Sequence, residues 1–282
     1  ATGFVESTLG QIYKVPVTGK KGETSFRGGP AYYLKYGLGY SAWAALFAVL
    51  ISVTYGMIYN SVQANTISLA LNSAFGFDRA VMGIILAIAS VAIICGGLGR
   101  IARVTEWMVP LMAGVYILVA LGIMIYHINL LPHVFAEILE DAFSFQAAAG
   151  GGMGAAVLTG FKRGLFSNEA GMGSTPHAHA TAKVSNPCEQ GIIAMMGVFI
   201  DTFIILTMTA LVILSTGVLG NGQTGAELAQ SAFNIGFGDF GNIFIAICML
   251  FFAFTTIIGW YYFGEVNVRH LFGNKAVKVY AV

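Results

Sequence analysis

The sequence predicts an all-α polytopic membrane protein, and three observations indicate this class. Of the 282 residues, 57% are hydrophobic and only 10% are charged, whereas about a quarter of the residues in a typical soluble domain are charged. The mean hydropathy is +0.77. Six apolar stretches are each long enough to cross a hydrocarbon core, which takes about 20 residues. Together these features favour several membrane spans over a soluble core.

The six predicted spans follow a more polar N-terminal segment. They lie at 42–71, 79–99, 105–128, 149–185, 189–217 and 240–264. The first 40 residues contain the stretch RGGPAYYLKYGLG, and we expect them to form an interfacial loop with a short amphipathic piece. Residues 1–282 are expected to form a single transmembrane domain. Because the chain starts with Ala and stops shortly after a loop, we expect it to be incomplete at both ends.

Loop charges predict the orientation of these spans. With residues 1–40 in the cytoplasm, the cytoplasmic loops hold eleven Lys and Arg residues, while the outer loops hold only Arg79. The eleven are Lys14, Lys20, Lys21, Arg27, Lys35, Arg100, Arg103, Lys183, Arg269, Lys275 and Lys278. This asymmetry follows the positive-inside rule. We therefore expect a multi-pass protein of the plasma or inner membrane, surrounded by the lipid bilayer.

Several classes of function find no support in the residues. The net charge of +1 creates no general attraction for nucleic acid, and neither a P-loop nor a dinucleotide fingerprint indicates a nucleotide. The cysteines, Cys95, Cys188 and Cys248, have no metal-ligand spacing. His177 and His179 are two residues apart and do not share a helix face. No nucleophile–base pair is recognisable, so we expect neither an enzyme nor a bound cofactor.

The fourth predicted span, 149–185, is too long for one straight crossing and is interrupted by glycine. The stretch RGLFSNEAGMGSTPHAHA belongs to it, and the glycines of the interior are Gly160, Gly164, Gly171 and Gly173. Thr175 can cap a helix, and Pro176 suits a first helical position. We therefore predict two half-helices, 149–163 and 176–185, joined by unwound backbone at 164–175.

The predicted break favours a binding site. Unwound backbone is tolerated inside a membrane only where protein buries it or where it lines a wet cavity. In secondary transporters such backbone binds substrate and ions. Asn168 and Glu169 lie within the break, and the positive end of the half-helix starting at Pro176 would suit a carboxylate. The alternative interpretation is a kink that glycine permits and that packs against neighbouring helices.

Two other spans carry polar groups. Gly56, Asn60 and Gln63 are spaced to share one face of the first span, where amides would bind either a substrate or a neighbouring helix. On the sixth span, the adjacent hydroxyls of Thr255 and Thr256 could bind a small hard cation together with carbonyls one turn earlier, such as that of Phe252. Threonine hydroxyls in a span also bond back to their own helix, and this alternative stays open.

Of the ionisable residues inside predicted spans, where an unpaired charge costs several kcal/mol, four are functional candidates: Lys162, Arg163, Glu169 and Asp201. We interpret Asp201 as one half of a structural or gating ion pair, with Arg163 or Lys162 as its partner. Glu169 is the charge within the predicted break and belongs to the same gating group. Trp260 lies one turn after Thr256 and could shape a small pocket.

The sequence around the break resembles the alanine/glycine:cation symporter family. The resemblance rests on RGLFSNEAGMGSTPHAHA followed by NPCEQGIIAMMGVFIDTFIILTMTAL, with RGGPAYYLKYGLG and YNSVQANTI as earlier segments, and it covers nearly the whole chain. It implies a five-plus-five inverted-repeat transporter of the amino acid–polyamine–organocation class. The six spans would be its third to eighth helices, with residues 1–12 as the end of the second and with the first helix and the C-terminal helices missing.

The resemblance also implies roles for particular residues. Substrate would contact Gln63, Phe166, Ser167, Asn168, Gly171 and Trp260, the last of which would limit the pocket size. Sodium would bind at Thr255, Thr256 and Phe252. The implied function is sodium-driven symport of a small neutral amino acid, alanine or glycine, into the cell by alternating access. Proton coupling through Glu169 is the nearest alternative, and a channel or a structural membrane subunit is a more distant one.

Overall fold

Long apolar helices dominate the fold. The computed structural model describes residues 1–18, 24–96, 98–143 and 152–281, with the backbone alone at 98, 141–143, 152, 153, 155, 156, 163, 165 and 166. The helices of this part are α1 (Thr2–Ile12), α2 (Pro30–Tyr36), α3 (Ser41–Phe75), α4 (Arg79–Ile94), α5 (Leu98–Tyr126), α6 (Leu131–Phe143), α7 (Gly152–Asn168), α8 (Thr175–His179), α9 (Pro187–Ser215), α10 (Ala226–Phe237), α11 (Asp239–Phe272) and α12 (Asn274–Tyr280).

Four of the described helices are long and apolar enough to cross a membrane, namely α3, most of α5, α9 and α11. They correspond to the first, third, fifth and sixth predicted spans. The second predicted span, 79–99, is shorter than expected, since α4 ends at Ile94. Its end is capped by Arg100, whose Nη1 donates to the carbonyl of Ala92 at 2.9 Å. A basic side chain that binds the last carbonyls is a common helix stop.

Residues 15–18 and 24–27 correct the prediction of an all-α chain. Val15–Thr18 (β1) and Thr24–Arg27 (β2) form a two-stranded antiparallel hairpin, in which Val15 pairs with Arg27 and Thr18 with Thr24. This region was expected to be a loop. The strands are rich in β-branched residues, which favour extended backbone, but four residues are too few to show a clear alternation.

Local signals set several helix boundaries. The side chain of Asp78 caps α4 by accepting from the backbone N–H groups of Ala80 and Val81 at 2.9 and 3.1 Å. Asn186 caps α9 in the same way, and Pro187 occupies the first turn. At the other end of α3, Gly76 adopts a left-handed φ of 70°. These caps satisfy backbone groups that a helix end leaves without partners.

Helix α11 is the centre of the bundle. Half of its most apolar stretch is buried, against 17–28% for the other three long helices. One side packs with α3 and α4 in a cluster that contains Ile67, Leu86 and Ile258. The other side packs with α5, α9 and α10 in a cluster that contains Ile123, Val212 and Phe233. A residue on α11 is therefore well placed to contact most of the other elements.

Two of the long helices contain a π-helical segment. Thr54–Ile58 interrupts α3, and Ile200–Leu206 interrupts α9. A π segment has more residues per turn than an α-helix, so it changes which side chains share a face, and such segments are frequent at functional sites. Neither was expected from the sequence.

Candidate functional site

The interrupted helix of the fourth predicted span is present, with different boundaries. Helix α7 continues to Asn168 instead of ending at 163, and α8 comprises only Thr175–His179 instead of 176–185. The break is therefore residues 169–174. Ser174, not Thr175, occupies the N-cap position. Residues 149–151 of the predicted span lie outside the described part of the chain. With five residues, α8 is too short to have the helix dipole on which the predicted carboxylate-binding position depended.

The backbone of the break is left-handed at three positions. Glu169, Gly171 and Gly173 have φ values of 58°, 93° and 78°. At Gly173 a Cβ atom would lie 2.7 Å from Pro30 Cγ and 2.8 Å from the ring of Phe47, so glycine is required for space as well. Glu169 is the one non-glycine residue with positive φ among the described residues. Left-handed backbone costs a non-glycine residue about 1–2 kcal/mol, so its surroundings must hold it there.

Side chains satisfy the N–H groups of the unwound backbone. The Oδ1 atom of Asn168 accepts from the N–H of Ala170 at 3.0 Å, and the Oε2 atom of Glu6 accepts from the N–H of Gly171 at 3.0 Å. Glu6 lies on α1, 165 residues away in sequence. The sequence offered no sign of this contact. The predicted site residue Gly171 is thus tied to α1 as well as to its own segment.

The end of α7 is bound to the π segment of α9. Ser167 Oγ donates to Asp201 Oδ2 at 3.0 Å, and Asn168 Nδ2 donates to Thr202 Oγ1 at 3.0 Å. Asp201 is therefore next to the break, and its described partner is a hydroxyl. The side chain of Arg163, its predicted partner, lies outside the described residues, as does that of Phe166. Asn168 uses both ends of its amide inside the protein, which gives it a structural role beside the predicted one.

Trp260 contacts the break directly. Its indole Nε1–H donates to the carboxylate Oε1 of Glu169, a charge-assisted bond of the stronger kind. The ring is 4% exposed and packs edge-on against Tyr55, at a centroid distance of 5.6 Å, and against Tyr59 at 5.4 Å. Glu169 was predicted for the gating group and Trp260 for the substrate pocket. These two residues are 91 positions apart in sequence and are in contact. Tyr55 belongs to the π segment of α3 and was not expected there.

Buried polar groups surround the Glu169 carboxylate. The hydroxyl of Ser174 lies near both this carboxylate and the hydroxyl of Tyr55, although neither hydroxyl forms a short, well-aligned hydrogen bond within the described part of the chain. The Oδ1 atom of Asn60, one turn along α3, is likewise buried and unpartnered among these residues. Buried groups of this kind usually have a partner, and leaving one without it costs about 1–3 kcal/mol. They are suited to a polar solute.

The predicted cation ligands lie on α11. Thr255 Oγ1 bonds to the carbonyls of Phe251 and Phe252 at 3.0 and 2.9 Å, and Thr256 Oγ1 bonds to that of Phe252 at 2.8 Å. Both hydroxyls thus bond back to their own helix, as the alternative interpretation expected. Because each hydroxyl donates its proton, its lone pairs remain available to a cation. Phe252, Thr256 and Trp260 are spaced four residues apart and share one face.

Gln63 lies one turn beyond Tyr59 on α3, on the side where Tyr59 contacts Trp260. It is partly buried. The structure therefore brings the predicted positions Glu169 and Trp260 into contact, with Asn168 bonded to the backbone of the break. Thr256 lies one turn before Trp260 on α11, and Gln63 lies one turn after Tyr59 on α3. Among the described residues no group of three or more His, Cys, Asp or Glu side chains is placed to hold a metal ion.

Comparison with known proteins identifies the family of this chain. The family model described as "Sodium:alanine symporter family" matches residues 1–282. The chain belongs to the sodium:alanine symporter family. This is a family of multi-pass membrane transporters and not of enzymes, which confirms the expected class of protein and its location in a membrane. The resemblance noted in the sequence is confirmed as well.

Relatives within the sodium:alanine symporter family differ in their substrates. The chain is 48% identical to the amino-acid carrier protein AlsT of Bacillus subtilis over 98% of its length and 58% of that of AlsT. It is 47% identical to the probable sodium/glutamine symporter GlnT of the same organism, over 99% and 57% of the two chains. It is 36% identical to the sodium/alanine symporter AgcS of Methanococcus maripaludis, over 100% and 63%. The chain thus spans about three-fifths of the length of these relatives.

Proposed function

We propose that this chain is part of a sodium-coupled symporter that brings alanine or glycine into the cell across the cell membrane by alternating access. The observation that carries the proposal is the break at 169–174, whose left-handed Glu169 bonds to the buried Trp260 of α11. A binding site on unwound backbone between helices is the arrangement on which secondary transporters rely. Membership of the sodium:alanine symporter family supports sodium as the coupling ion.

The finer architecture belongs to the same proposal. The six predicted spans are assigned to the third to eighth helices of a five-plus-five inverted-repeat transporter, and α1 to the end of the second. The bond between Glu6 and Gly171 supports this assignment of α1, because it places the helix at the depth of the break. The cytoplasmic segment then begins after α1, and the sequence from 13 to 40 still contains the positive charges of Lys14, Lys20, Lys21, Arg27 and Lys35.

The shape of the junction favours a small substrate. Trp260 is nearly fully buried, and the rings of Tyr55 and Tyr59 close two of its sides. Substrate would lie against the break, with Gln63, Phe166, Ser167, Asn168 and Gly171 around it and Trp260 limiting its side chain. The hydroxyls of Tyr55 and Ser174, which form no short, well-aligned hydrogen bond to the described residues, would bind its polar head. Alanine or glycine would fit such a pocket better than glutamine.

Sodium would bind at Thr255 and Thr256 with the carbonyl of Phe252, on the helix face that Trp260 shares. Hydroxyl and carbonyl oxygens suit a small hard cation. Sodium that binds the outward-open state more tightly would favour that state, and substrate binding would then permit closure and inward release. Asp201 and Arg163 would gate this motion, since Ser167, which bonds Asp201, lies one helical turn after Arg163.

Uptake by the full-length protein in proteoliposomes tests the proposal. Radiolabelled alanine should accumulate when sodium is higher outside, and accumulation should saturate and should stop without the gradient. Proton coupling through the Glu169 carboxylate is the competing mechanism. If an inward pH gradient in sodium-free buffer drives the same accumulation, sodium coupling is wrong. Flux that does not saturate would indicate a channel instead.

A further inference from the structure

We infer that His177 is a positioning residue of the substrate site, and that through Asn267 it holds the short helix after the break against α11. The inference rests on the proposed function, because the site it positions is the one proposed above. His177 is fully buried, with 0% of its side chain exposed, and so is Asn267. The two residues are 90 positions apart in sequence and lie on α8 and α11.

The hydrogen bonds determine which nitrogen of His177 carries the proton. Asn267 Nδ2 lies 2.8 Å from the carbonyl oxygen of Phe263 and 2.7 Å from His177 Nε2. The reversed amide would place Oδ1 against that carbonyl, which is an acceptor, so the amide nitrogen must face both groups. His177 Nε2 is therefore an acceptor. Its Nδ1 carries the proton and donates to the carbonyl of Ser174 at 2.9 Å.

The surroundings are shaped to fit the imidazole ring. Gly29 has a φ of 130°, and a Cβ atom there would lie 2.6 Å from His177 Cδ2 and Nε2. The ring of Phe263 packs on it at a centroid distance of 5.7 Å. The segment before α2 and the helix α11 thus enclose the ring, and both nitrogens are committed. The ring has no room to rotate, so the Ser174 carbonyl is held in a fixed position relative to α11.

Two contacts consequently clamp the break to one helix. Glu169, at its start, bonds to Trp260, and Ser174, at its end, bonds through His177 to Asn267. Trp260 and Asn267 are seven residues apart, about two turns on the same face of α11. The first clamp uses side chains of the proposed site, whereas the second binds only the backbone carbonyl of Ser174, through the side chains of His177 and Asn267, which are not proposed ligands. Breaking the second clamp would let the Ser174 hydroxyl and the left-handed segment shift, although no residue proposed as a ligand is mutated.

The test uses the full-length protein in proteoliposomes with saturating sodium. His177→Leu and Asn267→Leu should each raise the KM for alanine roughly tenfold, as loss of a buried hydrogen bond predicts, with kcat within about twofold of wild type. The double variant should be no worse than the poorer single one, because both changes break the same clamp. His177→Gln should restore the KM to within about threefold, since its amide can donate to Ser174 and accept from Asn267.

Gln230→Leu is the matched control. Gln230 is 3% exposed, and its Nε2 donates to the Ala70 carbonyl at 3.1 Å and to Asn242 Oδ1 at 3.0 Å. It therefore also joins helices through a buried amide. Asn242 lies 18 residues before Trp260 on α11, about 27 Å along the helix. The control should lose thermal stability and keep the wild-type KM.

Hydrogen–deuterium exchange provides a measurement that does not depend on transport. The N–H groups of His177 and Ala180 bond to the carbonyls of Ser174 and Pro176 at 3.0 and 2.9 Å. His177→Leu should increase the exchange rate of these two N–H groups about tenfold, because losing one hydrogen bond lowers the free energy of local opening by about 1.4 kcal/mol. Gln230→Leu should leave that rate unchanged. If wild type shows no sodium-driven alanine uptake, the proposed function fails, but exchange still tests the clamp.

Three outcomes would overturn the inference. The first is a wild-type alanine KM in His177→Leu. The second is an equal rise in KM in Gln230→Leu, which would make the effect one of general stability. The third is unchanged exchange at residues 177–180 in His177→Leu. Should His177→Leu fail to fold, Asn267→Leu and His177→Gln replace it. A raised alanine KM in Asn267→Leu with a near-normal KM in His177→Gln supports the clamp. A near-normal KM in Asn267→Leu with a raised KM in His177→Gln refutes it.

Discussion

Replacing Trp260 by phenylalanine isolates the bond between α11 and the break. Phenylalanine keeps an aromatic ring between Tyr55 and Tyr59 but has no N–H to donate to the Glu169 carboxylate. A hydrogen bond to a charged group contributes about 1.5–3 kcal/mol. Glu169 also has the left-handed φ of 58°, and loss of this donor removes a contact from α11 that offsets its strain. Since 1.4 kcal/mol is a factor of ten, the alanine KM should rise about 10- to 100-fold.

The assay is sodium-dependent uptake of radiolabelled alanine by the full-length protein, with Trp260→Ala and Glu169→Gln as companion variants. Trp260→Ala should also admit glutamine, because it removes the ring that limits the pocket. The effects of Trp260→Phe and Glu169→Gln on the alanine KM should be non-additive by about 0.5–3 kcal/mol. Losing the indole donor costs a neutral amide at position 169 less free energy than it costs a carboxylate. A wild-type alanine KM in Trp260→Phe, or strict additivity with Glu169→Gln, would show that the bond does not hold the site.

Three further variants test the other proposed roles in the same assay. Thr256→Val should raise the sodium concentration for half-maximal uptake about tenfold or more, because it removes one oxygen ligand, and unchanged sodium activation would exclude Thr256 from the cation site. Asn168→Ala breaks the bonds to Ala170 and Thr202, so alanine affinity should fall about tenfold or more, and wild-type affinity would refute its role. Asp201→Asn and Arg163→Gln should lose uptake non-additively, by about 0.5–3 kcal/mol of coupling, and additive losses would mean that the two are not a pair.

The spans and the interruption could be predicted because their signals are local. Apolar runs identify the helices α3, α5, α9 and α11 directly, and Gly171 and Gly173 mark the interruption, where the backbone is left-handed. The boundaries of the break were wrong by several residues, because Gly164 is tolerated within α7 and the end of that helix is determined by the bonds of Ser167 and Asn168 to α9. Such bonds join residues 34 positions apart, and a single sequence does not show them.

The π segments explain why part of the site could not be predicted. The proposed shared face of Gly56, Asn60 and Gln63 assumed a regular α-helix, but Gly56 lies inside the segment Thr54–Ile58. Gly56 faces the hydroxyl of Tyr280 instead, while Asn60 has a buried, unpartnered oxygen in the described part of the chain. The wider turn changes which residues share a helix face with Gly56. The same turn carries Tyr55 to Trp260. A π segment depends on packing between helices, so the residues it brings to the site become evident only in the folded chain.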